Sequence, residues 1–150
     1  MFSKFKLAIL LFCTLMLSFA CSKDDDKQDE KDDLIIREYI SANNLDATKT
    51  ESGLYYVIES PGNNQHPTLN NEVKVDYTGY FMDGKVFDES VSTFSLRGVI
   101  AGWREGIPLF GKGGKGKLLI PSRLGYGSNP PPGIPKDAVL LFDIHLIDIK

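Results

Sequence analysis

An α+β fold, an antiparallel sheet of about five strands with one short internal helix, follows from three features of the sequence. Polar and apolar residues alternate over 72–77, and within 139–149 Phe142, Ile144 and Leu146 share a face, which marks half-buried strands. The glycine-rich segment 102–108 is too short for a long helix and provides one or two helical turns. A chain of 150 residues with 42% apolar content holds one modest core, and so one domain.

The chain opens on a segment to be set aside from the fold. Lys4 and Lys6 precede an apolar run over 7–17, and Ser18-Phe19-Ala20 leads to Cys21, the layout of a secretory signal occupying 1–20. The run is shorter than the roughly 20 apolar residues that a bilayer core requires. Leu17-Ser18-Phe19-Ala20-Cys21 resembles the lipobox of bacterial lipoproteins, although its Leu lies one position further from the cysteine than usual. That resemblance implies lipid attachment at Cys21 and a mature, exported protein held to the bacterial outer membrane, at its periplasmic face or the cell surface. An ordinary signal with an incidental thiol is the alternative. Ser22-Lys23-Asp24-Asp25-Asp26 resembles a surface-export signal of some gram-negative lipoproteins. Cys13 departs with the signal, so disulfides and cysteine-ligated metals are not expected.

Residues 21–33 carry seven acids and three lysines, with no apolar residue between Cys21 and Leu34, a composition expected to form a disordered tether. The segment 34–52 is expected to be a short helix and linker: Ile36, Tyr39 and Ile40 recur at helical spacing, and Asp32 and Asp33 stand where they can cap its start. Its apolar stripe packs on the domain in one reading and docks a second copy in the other; the first makes the protein a monomer. The domain proper is expected over 53–150. Residues 34–150 hold 12 basic and 13 acidic groups, too balanced for the clustered basic face that nucleic acid requires. Lys112, Lys115 and Lys117 read as a solvated loop.

Gly53 opens the β-rich run Leu54-Tyr55-Tyr56-Val57-Ile58, which ends in turn residues at 60–64. The strand at 72–77 is followed by Asp83-Gly84, a pair suited to the positive φ angles of a tight hairpin, and Val86 and Phe87 begin the return strand. Phe94 and Leu96 suggest a further short strand. The glycines at 111–116 lack the Lys-Ser/Thr of a phosphate loop and lead into a strand at 117–120, so they form a turn. In the last strand Phe142, Ile144 and Leu146 share a face, and Trp103 is suited to cover it.

No Ser-His-Asp set, metal-ligand spacing or dinucleotide fingerprint is present, and His66 and His145 lie in a polar loop and on a strand out of phase with Phe142. No cofactor and no metal are expected. The chain is instead rich in aromatic residues beside glycines, acids and turns. Taken singly, Tyr77, Phe87, Phe94, Trp103, Tyr126 and Phe142 are ordinary core. Taken in order, Val75-Asp76-Tyr77-Thr78-Gly79, Phe87-Asp88-Glu89-Ser90, Val99-Ile100-Ala101-Gly102-Trp103, Gly125-Tyr126-Gly127, Gly133-Ile134-Pro135 and Leu141-Phe142-Asp143-Ile144 resemble the FKBP family of peptidyl-prolyl isomerases.

The resemblance implies a half-wrapped antiparallel sheet around a short helix, enclosing an apolar pocket for the proline of an X-Pro segment. It implies walls from Tyr77, Phe87, Val99, Ile100, Trp103 and Phe142, with Trp103 as the floor, and further substrate contacts from Phe94 and Ile134. Asp88 and Tyr126 supply polar contacts at the rim, and the N–H of Ile100 donates to a substrate carbonyl. The activity implied is rotation of X-Pro bonds in unfolded or newly exported polypeptides; a non-catalytic peptide-binding or chaperone module of the same fold is the alternative. Two departures bear on macrolide inhibitors, the other ligands of the family. The segment between Asp88 and Phe94 is short and lacks the arginine that commonly pairs with the aspartate, and Pro131 replaces a histidine found in some members. Peptide binding is therefore expected to survive better than macrolide affinity.

Overall fold

The computed structural model describes residues 22–150; the signal, and with it the expected lipid attachment at Cys21, lies outside the described residues. Six antiparallel strands form one sheet in the order β1-β2-β5-β6-β3-β4. They are β1 (Thr48–Lys49), β2 (Tyr55–Ser60), β3 (Glu72–Tyr80), β4 (Val86–Ser95), β5 (Lys115–Ile120) and β6 (Leu140–Ile149). Two helices accompany them, α1 (Ser22–Ala42) and α2 (Ala101–Gly106). The expected sheet of about five strands is joined by the two-residue β1, which pairs with Tyr55 and Tyr56 of β2.

Strict alternation builds the inner face. Val73, Val75 and Tyr77 are buried along β3 while Glu72, Lys74 and Asp76 face solvent. The register pairs Val75 with Leu146, Tyr77 with Ile144 and Gly79 with Phe142, so the apolar halves of β3 and β6 face the same way. Helix α2 covers this face. A Cβ on Gly102 or Gly106 would come within 2.6 Å of the side chains of Ile120 and Leu118, so these two glycines let the helix lie directly on β5. Trp103, between them, then reaches the centre of the main core, 4% exposed.

Three sequence expectations are corrected. Phe94 belongs to no separate strand: β4 runs unbroken from Val86 to Ser95, because residues 89–93 pair one by one with 74–78, and Leu96 enters a 3-10 turn. At the hairpin only Gly84 has positive φ; Asp83 instead accepts the Lys85 N–H on its side chain. The acidic segment is not a tether. Helix α1 begins at Ser22, so Asp32 and Asp33 lie mid-helix rather than capping a start.

The acids of α1 are matched by groups distant in the chain. Asp29 pairs with Arg123, Asp33 with Lys49 and the Tyr55 hydroxyl, and the buried Asp32 accepts the Ser122 N–H. Asp24 and Asp25 in the first turn favour the positive end of the helix dipole. Further along the same face, one turn beyond Asp32, the helix buries Ile36 completely, with Ile35, Tyr39 and Ile40 half-buried, in a second core with Tyr55, Val57, Leu119, Val139 and Leu141. Full burial of Ile36 contributes about 1.5 to 3 kcal/mol. The two faces of the sheet thus carry two cores, one under α2 and one under α1.

Candidate active site

A cavity opens from the inner core to solvent. It has a volume of about 250 Å³ and is lined by Tyr77 of β3, Phe87, Asp88 and Phe94 of β4, Gly98, Val99 and Ile100 ahead of α2, Trp103 of α2, Tyr126, and Phe142 of β6. It is smaller than the roughly 300 to 1,000 Å³ of sites for drug-sized ligands and suits a single small ring.

Its floor is an aromatic box. The Trp103 ring meets Tyr77 at 5.0 Å, Phe94 at 5.4 Å and Phe142 at 5.4 Å between centroids, each edge to face. Each such pair adds about 0.5 to 1.5 kcal/mol beyond its buried area, so the floor is stiff. Trp103 Nε1 is buried with no hydrogen-bond partner among the described residues. Phe87 stands edge-on to Phe142 at 5.6 Å and is backed by Phe81 at 4.8 Å.

Phe87 and Asp88 are adjacent in sequence, yet both line the cavity. A regular strand would send them to opposite faces. The register slips between Gly79 and Tyr80, which pair with Asp88 and Val86, and the extra residue of this bulge is Phe87. Gly79 beneath leaves the room: a Cβ there would come within 2.7 Å of the Phe87 ring and 2.8 Å of the Phe142 ring.

Polar groups are few. The Tyr77 hydroxyl donates to Asp88 Oδ2 at 2.7 Å. Burial, then this bond, pushes the Tyr77 phenol well above its ordinary value, so it stays protonated and donating. Burial and the Asp88 charge also raise the Tyr126 phenol, although the side chain is 38% exposed at the rim. Ile100 caps α2 with its carbonyl, which accepts from the N–H groups of Trp103 and Arg104; its own N–H has no acceptor among the described residues.

Nine residues singled out from sequence therefore meet around one cavity: Tyr77, Phe87, Asp88, Phe94, Val99, Ile100, Trp103, Tyr126 and Phe142. Ile134 does not. It packs half-buried against the same core, and its N–H returns to the Pro131 carbonyl at 3.2 Å, folding the proline-rich tip on itself. The sequence reading missed Gly98 in the lining, Gly79 beneath it, and the Tyr77–Asp88 bond. That bond orients the carboxylate where the family arginine is lacking. No local sequence signal marks that bond, because it depends on the bulge, which sets Asp88 opposite Gly79, diagonal to Tyr77.

Residues 63–147, which contain the whole cavity, match the family model for the FKBP-type peptidyl-prolyl cis-trans isomerase. The chain belongs to this family. Its relatives include the FKBP-type peptidyl-prolyl cis-trans isomerase FkpA of Buchnera aphidicola, 46% identical over 69% of this chain and 43% of the relative. FkpA of Aeromonas hydrophila is 43% identical over 75% of this chain and 45% of the relative. The chain thus spans less than half the length of these curated FKBP-type relatives. Among solved structures, the crystal structure of FkpA from Escherichia coli superposes with a TM-score of 0.73 at 32% identity, covering 96% of this chain and 70% of that one. The peptidyl-prolyl cis-trans isomerase of Pseudomonas syringae gives a TM-score of 0.70 at 29% identity over 81% of this chain and 95% of that one. FKBP-type membership accounts for the open sheet wrapped on α2.

Proposed function

We propose that the domain accelerates rotation about X-Pro bonds in unfolded or newly exported polypeptides, with the proline ring seated on Trp103. The observation that carries this reading is the aromatic-floored cavity of about 250 Å³ with a polar rim of Asp88, Tyr126 and the free Ile100 N–H. X-Pro rotation makes and breaks no covalent bond; it must only overcome amide resonance, a barrier of about 20 kcal/mol. The twisted amide has less charge separation than the planar one, so a water-poor aromatic site favours it relative to the ground state. Ile100 N–H and the Tyr126 hydroxyl hold the flanking carbonyls by donation, and the Tyr77–Asp88 pair fixes the carboxylate at the rim. A gain of about four powers of ten in rate requires about 5.4 kcal/mol of differential stabilisation.

The reading extends to the setting of the domain. Cys21 carries a lipid that holds the exported, monomeric protein to the outer membrane, and the clients are proline-containing chains reaching that compartment. Macrolide inhibitors of the family bind weakly, because β4 is continuous where such members have a longer loop. Cys21→Ala should move the protein from the membrane fraction to the soluble fraction; equal partitioning of both forms would remove the anchor.

The deciding experiment measures cis-to-trans rates of a short X-Pro peptide and of a proline-limited refolding protein. Tyr126→Phe keeps the ring and removes one hydroxyl, and should lower kcat/KM roughly two- to tenfold. A wild-type protein that binds the peptide, read by Trp103 fluorescence, without exceeding the uncatalysed rate would replace the enzyme by a binding module.

A further inference from the structure

We propose that Asp32 of α1 is a positioning residue for Tyr126, acting through the buried turn at Ser122; the inference rests on the isomerase reading of the cavity. Asp32 and Ser122, 0% and 1% exposed, are the two buried polar or charged residues among the described residues. They are bonded to each other: the Ser122 N–H donates to Asp32 Oδ2 at 2.8 Å, and Gln28 Nε2 donates to Oδ1 at 2.7 Å. Burying a carboxylate is costly unless such bonds replace its water, so this placement is strongly constrained.

The constraint is passed on by the same residue. The Ser122 carbonyl accepts the N–H of Gly125 at 3.0 Å and the N–H of Gly127 at 2.9 Å, the two neighbours of Tyr126. Ser122 is thus fixed on its N–H side by α1 and fixes both flanks of Tyr126 with its carbonyl. The next residue repeats the tie to α1. Arg123 Nε donates to both oxygens of Asp29, at 3.0 and 2.8 Å, and its Nη2 donates to the Ser52 carbonyl at 2.7 Å. Asp29 and Asp32 are three apart and share one helix face, so the helix grips the turn at two adjoining points. Gly125 and Gly127 have little intrinsic stiffness, and Tyr126 lies in no strand or helix of its own. The helix on the outer face therefore sets where a rim hydroxyl stands on the inner one.

A double-mutant cycle separates positioning from mere docking of α1. Asp32→Ala, assayed where it is demonstrably folded, should lower kcat/KM on an X-Pro peptide by roughly two- to tenfold, as loss of the Tyr126 contact does. In a Tyr126→Phe background the same substitution should have no further effect. Asp32→Asn keeps an acceptor for the Ser122 N–H and should restore most of the activity. Amide exchange at Gly125 and Gly127 should accelerate in Asp32→Ala and not in Asp32→Asn. Additive losses, or wild-type activity in a folded Asp32→Ala protein with fast-exchanging Gly125 and Gly127, would overturn the proposal. A wild-type protein without isomerase activity would overturn the isomerase reading alone, since the cycle read in peptide affinity still decides whether Asp32 acts through Tyr126. Should Asp32→Ala fail to fold, Gln28→Ala, which removes one of the two bonds to the carboxylate, must show the same non-additivity in smaller degree, and additivity there refutes the link.

Discussion

Gly79→Ala tests how tightly the cavity wall is built. The backbone there is extended in β3 with no positive φ, so alanine brings no main-chain strain, and replacing a strand-interior glycine by itself contributes about 0.5 to 1 kcal/mol of stability. The new methyl, however, would stand 2.7 Å from Phe87 and 2.8 Å from Phe142, inside the usual carbon contact of about 3.5 to 4.0 Å. Phe142 is 4% exposed and pressed against Trp103, so it cannot yield. Phe87 is half-buried at the rim and must swing, pushing on Phe81 behind it. Overpacking of this kind costs about 1 to 3 kcal/mol, which matches or exceeds the glycine term and leaves a net loss of up to about 2.5 kcal/mol. Because the displaced ring is a cavity wall, KM for an X-Pro peptide should rise as well. Urea unfolding and peptide isomerisation of the folded variant read both effects. A Gly79→Ala protein as stable and as active as the parent would show that the two rings do not depend on this gap.

Tyr77→Phe removes the donor to Asp88 and should cost about 0.5 to 1.5 kcal/mol, with lower activity from a carboxylate no longer held at the rim. The same variant should flatten the alkaline limb of stability. Tyr77 has a folded value raised above the ordinary 10.0, so its contribution is full below that pH and is lost as pH climbs from there towards the raised value. Chemical denaturation of both proteins across that range checks the sign. Trp103→Phe loses ring volume from the floor but also removes the unpartnered Nε1, two effects of about 1 to 3 kcal/mol that oppose each other. Its stability should stay within about 1.5 kcal/mol of wild type while peptide affinity falls, measured by thermal unfolding and titration.

What the sequence disclosed depended on how local the physics was. The strands of the inner face were legible because the alternation at 72–77 and the shared face of Phe142, Ile144 and Leu146 are local patterns that report burial directly. The cavity residues were legible only through the resemblance that their ordered motifs carry, and nine of them line one cavity. Ile134 did not join them, because its loop closes on Pro131, a contact that motif order does not encode. The bulge that aims Phe87 inward was invisible, since it depends on pairing with a strand on the far side of a hairpin. Least legible was α1. Seven acids among thirteen residues read as a solvated segment, and only the fold supplies Arg123, Lys49 and the Ser122 N–H that neutralise or satisfy them.

Since those partners hold α1 through carboxylates, its docking should fail in acid before the inner core does. Asp33 accepts from Lys49 Nζ at 2.5 Å and from the Tyr55 hydroxyl at 2.8 Å, and forms an ion pair with Arg37 Nε at 3.1 Å. The Lys49 bond, ahead of the others, holds its carboxyl below the ordinary 3.8. A lowered folded value means that the stabilisation is complete above the ordinary value and is lost as pH falls through the lowered one. Protonation then releases the Lys49 tie and weakens the hold on Tyr55, which also belongs to the outer core with Ile36. The inner core, under α2, has no carboxylate buried in it among the described residues; its tie to a carboxylate, from Tyr77 to Asp88, lies at the rim. Amide exchange followed from neutral pH to below the ordinary carboxylate value should show α1 losing protection while the central strands β3 and β6 keep theirs. Asp33→Asn should remove part of that pH dependence. Loss of protection in α1 and the central strands together would mean that the two cores unfold as one unit, and that α1 is no separable layer.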